Sequence, residues 1–338
     1  MAKSSRADTV LVIAVQSDIH ADAVIYYLEQ RGATIFRLDL PETEGWIDAP
    51  SVEWRPGAED QNARLRWKER QVTASSIRSV YCRDLAFPTC PEGASIEEHL
   101  RYAEIKASIL GYLRLFQDRH WVNNPWHDEM ADNKPYQVAC AAKIGIEIPP
   151  TLVTDDPDRL RAFYRQCDGR LVIKQLSEIS LVDDREMKQE IDDPQVYGFY
   201  TERVLPQHID QAESIIGTPC LFQQEIEKAA DIRVTVIGER VFAHRIDSQV
   251  KTNSQTDFRK EPTLPISAYQ LPETAVEKLL QLLRYWSVEF AACDYVLSVE
   301  EELIFIEANV AGNWLWLEES EDSAIAESIA NHLWCHDH

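Results

Sequence analysis

The stretch Cys293–Glu318, CDYVLSVEEELIFIEANVAGNWLWLE, decides how this chain is read. Two runs rich in β-branched and aromatic residues flank an acidic tip at Glu300-Glu301, the pattern of a β-hairpin. With the turn centred there, Val299 pairs with Glu302 and Asp294 falls opposite Glu307. The strand period of two then puts Glu307 and Asn309 on one face. Asp294, Glu307 and Asn309 would converge as three oxygen ligands, the hard-donor set that suits Mg²⁺ and leaves room for water and phosphate oxygens. A solvated acidic hairpin face would be written in similar letters. Two features oppose that reading. Glu307 follows Leu303, Ile304, Phe305 and Ile306, where an unpaired carboxylate is costly. Gly312 closes the strand where backbone must approach something closely.

Upstream, Cys220–Val234 (CLFQQEIEKAADIRV) reads as a strand, a polar break and a second strand. Such a break can offer backbone groups to an adenine edge, with Asp231 accepting from ribose hydroxyls; composition alone favours a hairpin with a charged turn. Lys174 ends the apolar run Leu171-Val172-Ile173, and Lys134 begins a helix. Each could neutralise phosphate or simply face solvent. Arg233, Arg245 and Arg259 follow at strand or loop positions, and guanidinium suits bidentate binding of a carboxylate or a transferring phosphoryl group. Taken singly, each is more often a surface charge. His244 is a candidate general base, or a structural histidine.

The remaining chain alternates strands and helices. Thr9–Val15 is a strand, Asp22–Arg31 a helix closed by Gly32, and Thr34–Leu38 a second strand, which together indicate a parallel α/β unit. No Gly-x-Gly-x-x-Gly follows the first strand, so a Rossmann dinucleotide site is not supported. Further strands are expected at Ala63–Trp67 and Ser79–Cys82, and a helix over about Ile96–Phe116. Asn123-Asn124-Pro125 marks a junction. Beyond it, Asp132 or Asn133 caps a helix with Pro135 in its first turn, ending near Gly145. A strand after Pro150, a helix at Pro157–Gln166, a strand at Arg170–Gln175 and an acidic irregular stretch at 177–200 come next. Helices at Glu273–Trp286 and Ser323–Trp334 complete the pattern.

A chain of 338 residues can build two or three lobes, each with its own core. Its net charge of −23 repels nucleic-acid phosphates and anionic lipid. It repels ATP too, so a nucleotide site must gather Lys, Arg and Mg²⁺ locally. No apolar run reaches the roughly 20 residues that span a bilayer, and no secretory pattern opens the chain. Seven cysteines without a Cys-x-x-Cys suggest neither a disulfide framework nor structural zinc. Cys335-His336-Asp337-His338 reads as a frayed tail rather than a metal site. A reducing cytoplasm fits best.

The order of these features resembles the ATP-grasp proteins. The resemblance runs from Lys134 through Ile148-Pro149-Pro150-Thr151, Val172-Ile173-Lys174, Gln224-Glu225-Ile226 and Asp231-Ile232-Arg233 to Asp294 and Glu307-x-Asn309. More narrowly, the chain is similar to the microviridin-type peptide maturases, the graspetide ligases. Phe36-Arg37-Leu38-Asp39, Val80-Tyr81-Cys82-Arg83, Ser248-Gln249, Asp257-Phe258-Arg259 and Gly312–Glu318 carry that narrower likeness. It implies an α/β ATP-grasp fold with an N-terminal pre-ATP-grasp domain (1–122), a central lobe (123–215) and a C-terminal lobe (216–338), nucleotide lying between the last two. By resemblance, Lys134 and Lys174 hold ATP phosphates, Gln224, Glu225 and Ile226 line the adenine hinge, and Asp231 binds ribose. Asp294, Glu307 and Asn309 hold two Mg²⁺ ions, with Arg233, Arg245, Arg259 and Lys174 as the catalytic cations. The implied activity joins Asp or Glu side chains of a precursor peptide, with a leader and an acidic core, to Ser, Thr or Lys as esters or amides. Homodimerisation is a further implication.

The chain departs from the family at three points: Val310 replaces the usual Pro, Asp84 follows Arg83, and 177–200 contains only Gly198. These departures keep open an amino-acid or protein-tail ligase, and an ATP-binding regulator without catalysis.

Overall fold

The computed structural model describes residues 7–40, 51–53, 63–83, 85, 87, 90–91, 93–176, 200–321 and 323–335. Asp84, the acidic stretch up to 199 and the tail beyond Cys335 lie outside the described residues.

The N-terminal strands form a parallel sheet, as expected. β1 (Thr9–Val15), β2 (Thr34–Leu40), β6 (Ile77–Cys82) and β7 (His120–Val122) lie in the order β2-β1-β6-β7. Helix α1 (Ile19–Gln30) begins three residues before the periodicity suggests, because the Asp18 carboxylate caps it and accepts from the Ala21 N–H at 2.7 Å. Between β2 and β6, β3 (Ser51–Glu53), β4 (Arg64–Trp67) and β5 (Arg70–Thr73) form an antiparallel ribbon. Helix α2 (Ile96–Leu113) starts from a Ser95–Glu98 capping box.

The junction at Asn124-Pro125 opens a short helix not read from the sequence, α3 (Pro125–Ala131), then α4 (Lys134–Ile144). Asn133 caps α4 and Gly145 ends it at φ +80°, a conformation suited to glycine. A second sheet, antiparallel, has the order β10-β9-β11-β8, from β8 (Thr151–Thr154), β9 (Leu171–Lys174), β10 (Glu202–Val204) and β11 (Cys220–Gln224). Helices α5 (Pro157–Gln166) and α6 (Pro206–Asp210) accompany it.

The third sheet, also antiparallel, holds β12 (Lys228–Ile237), β13 (Arg240–Ile246), β14 (Ile266–Ala268), β15 (Phe290–Ser298) and β16 (Leu303–Asn309). Its order is β14-β13-β12-β15-β16. Helix α7 (Glu273–Trp286) covers one face, burying Leu279, Leu282, Leu283 and Trp286 against Ile232, Val234 and Val236. Each such side chain contributes about 1.5–3 kcal/mol by leaving water. The chain ends in α8 (Leu315–Glu321) and α9 (Ile325–Cys335), with α9 packed against α1 and the first sheet.

β11 pairs with β8 and β9, so the crossing between the second and third sheets falls at the polar break 225–227. Ala131, Cys140, Ala141 and Ile146, around α3 and α4, share the apolar cluster of the third sheet. The segment Cys220–Val234 is thus no hairpin, since its two strands belong to different sheets.

Candidate active site

The face of the third sheet opposite α7 carries the polar residues. Antiparallel partners share a face, so the register lines up His244, Arg233, Asp294 and Glu307 across β13, β12, β15 and β16. Asn309 lies two residues beyond Glu307, opposite Ala292. Near the turn the hairpin pairs Leu297 with Leu303, one residue tighter than expected, and the Ser298 N–H closes it on the Glu302 carbonyl at 2.9 Å. The expected Val299–Glu302 pair is therefore absent. A bulge at Ile306 restores register, so Asp294 does face Glu307.

Two clefts meet at this pair. The first, of about 670 Å³, lies between the second and third sheets and is lined by Lys174, Gln224, Glu225, Ile226, Lys228 and Asp231, among others. The second, of about 1330 Å³, is lined by Lys134, Gln137, Arg233, Asn309, Asn313 and Trp316. Phe258, Arg259, Asp294 and Glu307 line both. Lys174, Lys228, Lys134, Arg233 and Arg259 supply the local positive charge that a chain of net charge −23 needs to hold an anion.

Arg233 Nη1 donates to Asp294 Oδ2 at 2.8 Å, and Lys134 Nζ stands 3.7 Å from Glu307 Oε2. Lys134 thus borders the second cleft rather than the first. Burial lowers the Lys174 ammonium below its ordinary range, opposed in part by Glu307 and Asp294. Burial pushes Glu307 upward, but Lys174, Lys134, Arg259 and Arg233 together hold it below the usual carboxylate range. Asp294 goes the other way: burial raises it, and Arg233 only partly opposes the rise. Arg259 is held by Asp257, with Nη2 2.6 Å from Oδ2, and Asp257 also accepts the Thr201 N–H at 3.0 Å.

Five residues named from the sequence have partners or positions that the letters alone do not show. Arg245 lines neither cleft: it sits beside Ile232 on the face toward α7 and pairs with Asp247 at 2.8 Å, because strand alternation sends it away from Arg233. Asp231 does line the first cleft, but Lys228 Nζ already holds both its oxygens, at 2.9 and 2.8 Å. The Gln224 and Glu225 N–H groups donate to Pro150 and Arg170 carbonyls, at 2.9 and 3.0 Å, and so serve the second sheet. His244 is buried and lines neither cleft.

Sequence reading did not assign Lys228, Gln137, Asn123 or Arg83 a part in the site. Arg83, from the end of β6, is buried and donates to the Ala311 carbonyl at 3.0 Å and to Asn313 Oδ1 at 3.2 Å. The Asn313 carbonyl in turn accepts from Arg233 Nη2 at 3.2 Å. The N-terminal sheet therefore braces the loop after β16. Gly312 sits in that loop where a Cβ would come within 2.6 Å of Ala292 Cβ and 3.0 Å of Arg233 Nη2, the close approach its position implied.

The donors fit a magnesium ion. Asp294 Oδ1 is buried without a hydrogen-bond partner among the described residues while Oδ2 takes Arg233, an orphaned oxygen that a cation would satisfy. Among the described residues no group of three or more His, Cys, Asp or Glu could cage a metal alone. Two carboxylates and the Asn309 amide match Mg²⁺, which keeps water and phosphate oxygens in its shell.

No protein-family model matches the chain, and no curated protein matches it. Solved structures do. A RiPP-associated ATP-grasp ligase of Chryseobacterium gregarium, in complex with ADP and a leader and core peptide, is 26% identical, with a TM-score of 0.83 over 97% of this chain and 96% of its own. The macrocyclase MdnB from Microcystis aeruginosa MRC is 27% identical, with a TM-score of 0.77 over 96% of this chain and 99% of its own. The macrocyclase MdnC of the same organism, bound with precursor peptide MdnA, is 24% identical, with a TM-score of 0.79 over 96% and 99%. The fold is that of the ATP-grasp ligases, and the likeness spans nearly the whole chain.

Proposed function

We propose that this ATP-grasp chain is an ATP-dependent ligase that activates Asp or Glu side chains of a ribosomal precursor peptide and joins them to Ser, Thr or Lys side chains. The observation that carries the reading is the meeting of two clefts at Asp294, Glu307 and Arg259. One cleft presents Lys174, Lys228 and Arg259 to the phosphates and ribose of a nucleotide, the other presents Lys134, Arg233 and Arg259 to a peptide carboxylate. The precursor, leader and core peptides and the ADP named for the similar structures supply the substrate classes.

In this reading ATP occupies the first cleft, its base beside Ile226 and its phosphates beside Lys174. Lys228 joins Asp231 at the ribose end, so a ribose hydroxyl meets an ion pair rather than a bare carboxylate. The peptide carboxylate enters from the second cleft toward Arg259, Arg233 and Lys134. Mg²⁺ held by Asp294, Glu307 and Asn309 would neutralise phosphate charge at the junction. Lys174 and Arg259 stabilise the charge on the γ-phosphoryl as a carboxylate oxygen attacks it and ADP departs. The resulting acyl phosphate then accepts a hydroxyl or amine, and phosphate leaves.

No helix of the described residues is long and apolar enough to cross a membrane. Seven cysteines with no framework spacing fit a reducing compartment, where ATP and a newly made precursor are both at hand. Incubating candidate precursor peptides with the protein, ATP and Mg²⁺ tests the reading: each bond formed removes one water from the peptide mass and releases one ADP. ATP binding with no change in peptide mass would reject it.

A further inference from the structure

We infer that Gln137 is the positioning residue for the metal-binding end of β16, its side-chain amide standing in for a missing neighbouring strand. β16 is the outer strand of the third sheet, so one side of its backbone has no strand partner among the described residues. At Ala308, between Glu307 and Asn309, that side faces Gln137. Gln137 Nε2 donates to the Ala308 carbonyl at 2.7 Å, and Gln137 Oε1 accepts the Ala308 N–H at 3.0 Å. Donating to and accepting from one residue is what an adjacent antiparallel strand does. The second amide hydrogen goes to the Ala131 carbonyl at 2.8 Å, which anchors the amide to the end of α3.

Gln137 is only 2% exposed, and its three bonds hold its orientation. Lys134, one turn earlier on α4, reaches Glu307 itself. One helix therefore controls the backbone between two ligands and the charge beside one of them. Flanking contacts leave this function to Gln137: the Phe305 N–H donates to the Glu147 carbonyl at 2.8 Å, and the Val310 carbonyl accepts from Asn123 at 2.9 Å. With Ala308 unheld, Glu307 and Asn309 would share a face only on average. Partners behind ligands change metal affinity by about tenfold or more.

The inference rests on the magnesium reading of Asp294, Glu307 and Asn309. Its test is a Mg²⁺ titration of the full chain with fluorescent ADP, comparing wild type with Gln137→Met and Gln137→Glu. Methionine keeps the length and loses every bond; glutamate keeps the acceptor and loses both donors. Circular dichroism at the titration temperature establishes that each variant is folded. The expected result is a half-saturating Mg²⁺ concentration raised about tenfold in both variants, with ADP binding in the absence of Mg²⁺ unchanged. A folded variant that saturates like wild type overturns the inference. Failure of both variants to fold assigns Gln137 to fold stability and also overturns it. A wild type whose ADP binding ignores Mg²⁺ overturns the magnesium reading itself, which separates the two failures.

Discussion

Arg233 holds one oxygen of Asp294 at 2.8 Å and leaves the other, Oδ1, buried with no hydrogen-bond partner among the described residues. A carboxylate kept half-satisfied next to Glu307 costs stability. The arrangement is explained by a cation that binds there with phosphate. Removing either acid should therefore cost activity far more than fold. Glu307→Gln and Asp294→Asn are each expected to reduce ADP formation at least about 100-fold. Thermal melts within a few degrees of wild type would separate this from unfolding, and unchanged turnover in either variant would remove the assignment.

Lys174 and Arg245 make a contrasting pair. Lys174 lines the first cleft, and Lys174→Ala should abolish peptide-stimulated ADP release. Arg245 pairs with Asp247 on the other face, so Arg245→Ala should shift stability by less than about 0.5 kcal/mol and leave turnover unaltered. A steady-state ADP assay on both variants checks the placement.

Gly312→Ala introduces a methyl 2.6 Å from Ala292 Cβ and 3.0 Å from Arg233 Nη2. Overpacking of this kind costs about 1–3 kcal/mol. Because Arg233 must also give way, activity should fall at temperatures where the variant is still folded. Urea melts paired with ADP assays measure the two effects separately.

His20 packs edge-on against Trp314 at 5.0 Å, and burial, with Arg83 beside it, lowers its pKa from 6.5 to about 4. The unfolded chain takes up this proton near pH 6.5, the folded chain only near pH 4. Stability from the group is therefore complete above about pH 6.5 and declines as pH falls toward 4. The loss is on the order of 3 kcal/mol before solvent screening reduces it. His20→Asn should flatten this part of the stability–pH curve, and an unaltered slope in urea melts between those limits would contradict the assignment.

The hairpin Phe290–Asn309 was legible because its chemistry is local: alternation, an acidic turn, and a carboxylate stranded among apolar neighbours. The Asp294–Glu307 pairing follows from that pattern, although the bulge at Ile306 that preserves it has no signature in the letters. Arg245 was misplaced because spacing shows that a strand alternates but not which face turns inward; the partner strand decides, and Ile232 puts Arg245 with the α7 core. The Lys228–Asp231 ion pair depends on a register shift between Lys228 and Ala230. Gln137, Asn123 and Arg83 act on backbone groups 171, 187 and 228 residues away, a separation at which sequence patterns carry no information. That the polar break at 225–227 crosses between two sheets depends on β11 pairing back with β8 and β9, which spacing does not show.

The most direct test of carboxylate activation follows the oxygen. A precursor peptide whose Asp and Glu carboxyls carry heavy oxygen is incubated with the protein, ATP and Mg²⁺, and the released inorganic phosphate is analysed by mass. Attack of the carboxylate on the γ-phosphoryl transfers one labelled oxygen to phosphate for every bond formed, and that is the expected result. Unlabelled phosphate alongside cross-linked peptide would contradict the acyl phosphate, and with it the role assigned to the junction of the two clefts.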